Sequence, residues 1–199
     1  MTIKARRDAN GNNLQFAEVR AVITRADGTV EDLGVIDSHE SIGHKLKRLG
    51  RKFARKCAPW ALMIAAGMVG IQLGATVITN AGQAIVTNRM IGSGTEPKFV
   101  MWGTGAGTSA VTDTTLFTET TDEARTTGTS SRVTTTVTND TYQVVGTITV
   151  ATAGKTITNV GLFDVITASS GNLYFKSDFT GLALAVGDSI TFTIKVKFS

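Results

Sequence analysis

Glycine, histidine, cysteine and carboxylate residues are the first places in this sequence to look for chemistry. Gly103, Gly105 and Gly107 follow a short apolar run, but residue 108 is Thr, so the G-x-G-x-x-G dinucleotide pattern fails. A Lys-Ser or Lys-Thr pair does not follow them either, which excludes a phosphate-binding loop. We therefore predict that these glycines form a bend between two strands.

His39, His44 and Cys57 offer weak signals for a metal site or a nucleophile. The histidines are five residues apart and lack nearby third and fourth ligands, whereas a helical zinc pair needs a spacing of four with further ligands. Cys57 follows Lys56, so its thiol could have a lowered pKa, or it could be a buried, inert side chain. We predict surface histidines and an inert cysteine.

A group of carboxylates after the glycines has two interpretations. They could bind a divalent ion within a loop, or they could pair with nearby arginines or with an adjacent subunit. We favour pairing, because no Ser-His-Asp or other nucleophile-base set accompanies them. The sequence therefore predicts a protein that is not an enzyme and that has no catalytic residues, metal or cofactor. The carboxylates are Asp113, Glu119, Asp122 and Glu123, and the arginines are Arg125 and Arg132.

The composition favours a β-rich scaffold. Of 199 residues only 18% are charged and 42% are hydrophobic, and Thr and Gly are abundant. The net charge of +4 is local, because residues 1–57 contain twelve Lys or Arg against seven Asp or Glu. The single cysteine excludes an internal disulfide and, with no secretory signal visible, predicts folding in the cytoplasm.

The first structured element that the sequence predicts is a β-hairpin. AEVRAVITR and TVEDLGVI flank Asp27 and Gly28, a pair typical of tight turns between strands. An isolated hairpin is only marginally stable in water. This hairpin must therefore pack on the rest of the chain or on a neighbouring subunit.

A basic segment follows the hairpin, and it has three interpretations. Leu46, Leu49 and Phe53 are spaced to share one face of a helix. The helix could be solvated with its apolar stripe on a core, contact an acidic protein surface, or meet the phosphates of nucleic acid or membrane. With one aromatic residue it is not a base-stacking platform. The cations are Lys45, Lys47, Arg48, Arg51, Lys52, Arg55 and Lys56.

Residues 58–88 contain no charged side chain. Their first part approaches the ~20 apolar residues that a membrane-spanning helix needs. Gly67, Gly70 and Gly74 interrupt it, which equally fits a helix or strands buried at a tight subunit interface. We favour the interface over the membrane. Its large apolar side chains include Trp60, Leu62, Met63, Ile64, Met68, Ile71 and Leu73.

Residues 91–199 have the pattern of an antiparallel β-sandwich or jelly roll, after an N-terminal region of residues 1–90. In the last strand Ile190, Phe192, Ile194, Val196 and Phe198 alternate with polar residues, so they should face inward. Short turns separate the other strands, without a helical pattern between them. A hairpin is predicted around Asn139 and Asp140, and the polar segment from Glu119 to Ser130 is predicted to be a loop.

Several short blocks in this region resemble one family. WGTGAGTSAVTDTTLFTE, EARTTGTSSR, YQVVGTITV, NVGLFD and LAVGDSITFTIKVKFS occur in this order. They are similar to blocks of a family of tailed-bacteriophage virion proteins that includes head decoration, cement and tail-associated proteins. The resemblance covers roughly residues 85–199.

The resemblance implies a structural protein of the virion, made in the host cytoplasm and placed on the capsid surface. The major capsid protein would be its partner. Composition alone, and not the resemblance, points to residues 45–78 as the docking segment, because seven cations there precede an uncharged run. We also expect self-association as a dimer or trimer, without specific nucleic-acid binding. A tail or neck protein, and a small membrane-anchored β protein, are the alternatives.

Overall fold

Ten β-strands and one α-helix are present in the computed structural model, which describes residues 16–38 and 76–198. The predicted contact residues between Lys45 and Leu73 lie outside this range. In chain order the elements are β1 (Phe16–Thr24), β2 (Val30–Ser38), β3 (Thr76–Ile78), α1 (Asn80–Met90), β4 (Phe99–Gly103), β5 (Thr126–Thr127), β6 (Thr129–Val133), β7 (Thr141–Thr149), β8 (Lys155–Phe163), β9 (Leu173–Leu184) and β10 (Ser189–Lys197).

The strands form two antiparallel sheets of five strands each. The first sheet has the order β2-β1-β10-β7-β6, and the second has the order β3-β9-β8-β4-β5. Apolar side chains from both sheets make one core, with Val19 and Val144 from the first sheet and Val100 and Leu162 from the second. Burial of this apolar surface is the main force that holds the sheets together. The predicted fold class, mainly β with a sandwich arrangement, is confirmed.

Strand β10 shows the predicted alternation along its whole length. Ile190, Phe192, Ile194 and Val196 are fully buried, while the residues between them face outward and are partly exposed. The prediction that Phe198 also points inward is wrong, because its side chain is 40% exposed. The pairing of β10 ends at Lys197, so beyond that residue the strand period no longer dictates direction.

The N-terminal hairpin packs on the rest of its own chain. Strand β1 lies between β2 and β10, and it pairs with β10 from Phe16 opposite Lys197 to Thr24 opposite Ser189. At the turn, Gly28 has a φ of +87°, which glycine adopts without the steric cost of a side chain. Strands from both sides of residue 90 therefore share one sheet.

Helix α1 was not predicted as a separate element within the uncharged run. Thr79 caps it, since its Oγ1 accepts a hydrogen bond from the Gly82 N–H at 3.0 Å. Gly82 packs directly against the backbone of Tyr174, where a side chain would clash, and Ile85 is buried beside it. Two buried positions are too few to give the sequence a clear helical period.

The polar segment that was predicted to be a loop contains two short strands. β5 pairs with β4 at an edge of the second sheet, and β6 pairs with β7 at an edge of the first. Between them Gly128 approaches Val144 and the carbonyl of Lys98 so closely that a side chain would clash. The chain therefore crosses from one sheet to the other here and covers one side of the sandwich.

The alternation of β10 gives a stability prediction. Phe192→Ala should lower the free energy of unfolding by about 3–5 kcal/mol, because it removes buried surface and leaves a cavity. Thr193→Ala, on the outward face, should change it little. Denaturant unfolding monitored by circular dichroism measures both, and equal losses would contradict the assigned faces.

Candidate functional site: the strap over the second sheet

Residues 104–125, which we call the strap, connect β4 to β5 and cross the outer face of the second sheet. The predicted glycine bend begins this segment. A side chain on Gly105 would lie 2.6 Å from Thr118 Oγ1, and one on Gly107 would lie 2.6 Å from the ring of Phe117. Gly103 approaches the Phe117 carbonyl in the same way. These glycines allow two lengths of backbone to pack together, which explains their spacing without a bound phosphate.

Polar side chains of β8 and β9 hold the backbone of the strap. The Asn159 Oδ1 accepts a hydrogen bond from the Phe117 N–H at 3.1 Å, and its Nδ2 donates to the Gly105 and Phe117 carbonyls, both at 3.2 Å. Asp178 Oδ1 accepts a hydrogen bond from the Ser109 N–H at 2.7 Å. The sheet therefore satisfies backbone groups of an irregular segment that would otherwise be buried without partners.

Lys176 of β9 is buried under the strap, with a side chain only 1% exposed. Its Nζ donates to Asp113 Oδ2 at 2.8 Å and to the Thr115 carbonyl at 3.0 Å, and it lies 3.1 Å from the centre of the Phe117 ring. Burial lowers the pKa of Lys176, and the charge of Asp113 opposes that shift. A carboxylate, a carbonyl and an aromatic face thus compensate this ammonium group.

Arg125 occupies the end of the strap, and its side chain is also 1% exposed. Its Nε and Nη2 donate to the two carboxylate oxygens of Glu119 at 2.7 and 3.0 Å. Its Nη1 donates to the carbonyls of Val165 and Ser170, and the guanidinium lies 3.5 Å from the centre of the Phe163 ring. Arg125 therefore joins the strap to β8 and to the loop between β8 and β9.

A third buried pair joins the strap to β8. Lys155 Nζ donates to both carboxylate oxygens of Glu123 at 2.6 Å, and to Asp122 at 3.5 Å. Glu123 also accepts a hydrogen bond from the Ala151 N–H. The strap thus has three cation–carboxylate contacts: the Asp113 and Glu123 pairs reach β9 and β8, whereas the Arg125–Glu119 pair lies within the strap and reaches the β8–β9 loop through two carbonyls.

The prediction that these carboxylates pair with Arg125, with Arg132 or with an adjacent subunit holds only for Glu119, which pairs with Arg125. Asp113, Asp122 and Glu123 pair with Lys176 and Lys155, which are 32 to 63 residues away. Among residues 16–38 and 76–198, three or more potential metal ligands do not come together. The alternative of a divalent ion in this loop therefore has no ligand set in the described chain.

The other residues that the sequence singled out lie outside the described residues. They are His39, His44, Cys57, Lys45, Lys47, Arg48, Arg51, Lys52, Arg55, Lys56, Trp60, Leu62, Met63, Ile64, Met68, Ile71 and Leu73. Only the end of the proposed docking segment is described, and there Thr76–Ile78 forms β3 beside β9.

In the turn between β6 and β7, backbone N–H groups surround the carboxylate of Asp140. Burial disfavours the ionised Asp140 carboxylate, but the N–H groups of Val137, Thr135 and Thr136 outweigh this effect. Together they hold the pKa of Asp140 well below its usual range. The Asp140 carbonyl accepts the N–H of Phe198 at 2.9 Å, so this residue also fixes the end of β10.

Comparisons with known proteins do not identify the chain. No protein-family model, curated protein or solved structure matches it. In the part of the chain that the structure describes, helix α1 is too short and too polar to cross a membrane. The buried pairs of the strap hold a loop in place, and each of their cations already contacts a carboxylate.

Breaking the Arg125–Glu119 pair should strongly destabilise the protein. Arg125→Met leaves the Glu119 carboxylate buried and unpaired, and should lower the free energy of unfolding by about 3–5 kcal/mol. Combined replacement, Arg125→Met with Glu119→Met, should recover much of that loss. The matched surface control is Arg20→Met, which breaks an exposed pair with Asp32 and should change stability little. An unchanged midpoint of urea unfolding for Arg125→Met would contradict the assignment.

The Asp140 turn gives a pH prediction. Because the pKa of Asp140 is lower in the folded than in the unfolded chain, its stabilisation is complete above the unfolded value of about 4. It is lost as the pH falls through the folded value. Wild type should therefore be more stable than Asp140→Asn at pH 7, and this advantage should shrink on acidification below about pH 4. Thermal unfolding across pH checks this, and a constant difference would refute it.

Proposed function

We propose that this protein is a non-enzymatic structural protein of a bacteriophage virion, a decoration or cement protein that binds the major capsid shell. The observation that supports it best is where the phage-like sequence blocks lie. WGTGAGTSAVTDTTLFTE forms the end of β4 and most of the strap, and NVGLFD belongs to β8 beneath it. YQVVGTITV and SITFTIKVK form the paired central strands β7 and β10. The resemblance therefore belongs to one packed unit.

The physical character of the strap suits a load-bearing role. A loop of 22 residues that only covered a sheet could be held by apolar contacts alone. This strap also has three buried ion pairs and many hydrogen bonds to the sheet. Because a broken buried pair leaves a desolvated charge, such contacts resist partial opening. A shell protein under pressure from a packaged genome needs that resistance.

The points at which residues 39–75 join the described chain support a docking role for them. These points are Ser38, at the end of β2, and Thr76, at the start of β3. β2 and β3 are edge strands of different sheets on the same side, since β2 contacts β9 and β1 contacts β3. Both attachment points thus lie on one side of the sandwich. We propose that the seven cations orient attachment to the shell and that the apolar residues supply most of the binding energy.

Two alternatives use the same sandwich. The phage family includes tail-associated proteins, so a tail or neck component is the nearest alternative. A membrane-anchored protein with a projecting β domain is the more distant one. For the assembled state we propose a dimer or trimer, because an uncharged run of this length would leave a large exposed apolar patch on a monomer.

The docking proposal predicts that attachment depends on the basic segment. Replacing Lys47, Arg48, Arg51 and Lys52 with Gln in the full chain should slow attachment to undecorated shells about tenfold or more at low salt. The matched control exchanges each Lys for Arg and each Arg for Lys, which keeps the charge and should keep the rate. Light scattering or co-sedimentation with shells measures attachment. Equal rates for the Gln variant and wild type would contradict the proposal, as would loss of attachment in the charge-conserving control.

A further inference from the structure

The two ends of the sandwich differ in the strand ends and turns that lie there. At one end, which we call the terminal end, β1 begins, β2 ends and β10 ends, with Phe16 opposite Lys197 and Glu18 opposite Ser38. At the other, the turn end, the Ala26 N–H of the first hairpin donates to Asp188 in the turn before β10. The undescribed residues 1–15, 39–75 and 199 are joined to the described chain at Phe16, Ser38, Thr76 and Phe198.

Helix α1 crosses the terminal end between the two sheets. Thr79, before its first residue, donates its N–H to the Tyr174 carbonyl on β9. After the helix, Glu96 and Pro97 both accept hydrogen bonds from the Tyr142 hydroxyl on β7. The rings of Tyr142 and Tyr174 lie 6.4 Å apart, edge to face, beneath this path. The helix therefore covers the core at this end, and its last residues project from it.

Apolar side chains are exposed in several places at the terminal end. Met90 and Ile91, at the end of α1, are 82% and 76% exposed. Val137 is 67% exposed, and it lies near Phe198 because both donate a backbone N–H to Asp140. Ile166, in the β8–β9 loop at the same end, is also exposed. At the turn end the exposed large apolar residues are Val30 and Val186.

The terminal end also contains two cations that have no carboxylate partner within the described residues. Eight of the ten described Lys and Arg side chains form ion pairs. The other two are Arg89 and Arg132. Arg132 is directly opposite Tyr142 in the β6–β7 pairing. The Nη1 of Arg89, in the last turn of α1, donates to the Gly94 carbonyl at 2.9 Å, two residues before Glu96, which accepts a hydrogen bond from the Tyr142 hydroxyl.

We propose that the terminal end is a docking surface for a protein that presents carboxylates beside apolar side chains. Exposed apolar area supplies affinity when it is buried, and unpaired arginines select and orient an acidic partner. Arginine is also enriched at the energetic centres of protein interfaces. The inference adds a binding face to the proposed function and rests on it only for the partner's identity, which would be the major capsid protein.

The charges at this end distinguish a protein partner from three others. Nucleic acid requires a basic stripe along its phosphates, whereas the described lysines of this end, Lys98, Lys195 and Lys197, are each paired with a carboxylate. That leaves Arg89 and Arg132 as the described cations here without such a partner. Anionic lipid surfaces attract clusters of about 4–8 cations. In a twofold pairing of two copies the same patch faces itself, so Arg89 and Arg132 would meet like charges. An acidic protein surface fits both the charge and the apolar exposure.

The test compares three variants of the full chain for binding to undecorated capsid shells. Arg89→Gln with Arg132→Gln removes the charge, and Met90→Ser with Ile91→Ser removes apolar area. The matched control, Val30→Ser with Val186→Ser, removes similarly exposed apolar side chains at the turn end. We expect each terminal-end variant to bind about tenfold more weakly or worse, and the control to bind like wild type. Unchanged unfolding midpoints for all three exclude a folding defect.

A second probe separates failure of this inference from failure of the proposed function. If wild type binds shells and the terminal-end variants bind equally well, the inference is wrong and the proposed function stands. If wild type does not bind shells, the proposed function fails. In that case the inference is tested by NMR, by titrating the protein with a synthetic peptide of Glu and Leu. A peptide of Lys and Leu is the control. Saturable shifts at Ile91, Arg132 and Phe198 with the acidic peptide alone support it, and shifts elsewhere or none overturn it.

Three further results would replace the acidic protein with another partner. Binding to phosphatidylserine vesicles that is lost in Arg89→Gln with Arg132→Gln would indicate a membrane. Binding to duplex DNA with the same dependence would indicate nucleic acid. Self-association that disappears in Met90→Ser with Ile91→Ser, measured by sedimentation, would indicate a second copy of this chain. Each of these results would overturn the proposal.

Discussion

The outer layer of this protein depends on the buried guanidinium of Arg125. Four of its hydrogen bonds go to Glu119 and to two carbonyls of the β8–β9 loop, and its plane covers the ring of Phe163. A charge taken out of water costs several kcal/mol unless partners surround it, so these contacts are a condition for the strap to lie where it does. Lys176 and Lys155 repeat the arrangement at two other points of the strap. As a result the second sheet is covered on both faces, by the core on one and by the strap on the other.

The parts of the fold that were predictable from the sequence are those that depend on local pattern. The alternation in β10 and the Asp27-Gly28 turn each follow from a few neighbouring residues, and both are present. The ion pairs of the strap depend on the topology, because Asp113 and Lys176 meet only when β9 lies beneath the strap. From the sequence, the candidate ion-pair partners of the carboxylates were Arg125 and Arg132, which lie near them in the chain. Of the two, only Arg125 forms such a pair among the described residues. The lysines that complete the pairs have no local signal.

The other differences between the predictions and the structure also have physical causes. Helix α1 begins at a threonine cap inside an uncharged run, and it buries only Gly82 and Ile85, so neither charge nor periodicity marks it. Strands β5 and β6 are edge strands made mostly of Thr and Ser. One side of each strand faces solvent, so their polar composition is also typical of a loop. Phe198 is apolar and in phase with β10, but it follows the last paired residue. The predicted docking residues from Lys45 to Leu73 lie outside the described residues, so their role stays a prediction.

The proposed role requires both a rigid body and a surface that binds a partner. The strap and the two sheets make a body whose polar groups are largely satisfied internally. The terminal end carries exposed apolar side chains and two arginines that have no carboxylate partner among the described residues. The most direct measurement of the central claim is immunogold electron microscopy of intact virions with an antibody against the chain. We predict gold particles over the head, in many copies per capsid. Particles confined to the tail or neck, or intact virions without label, would contradict the account.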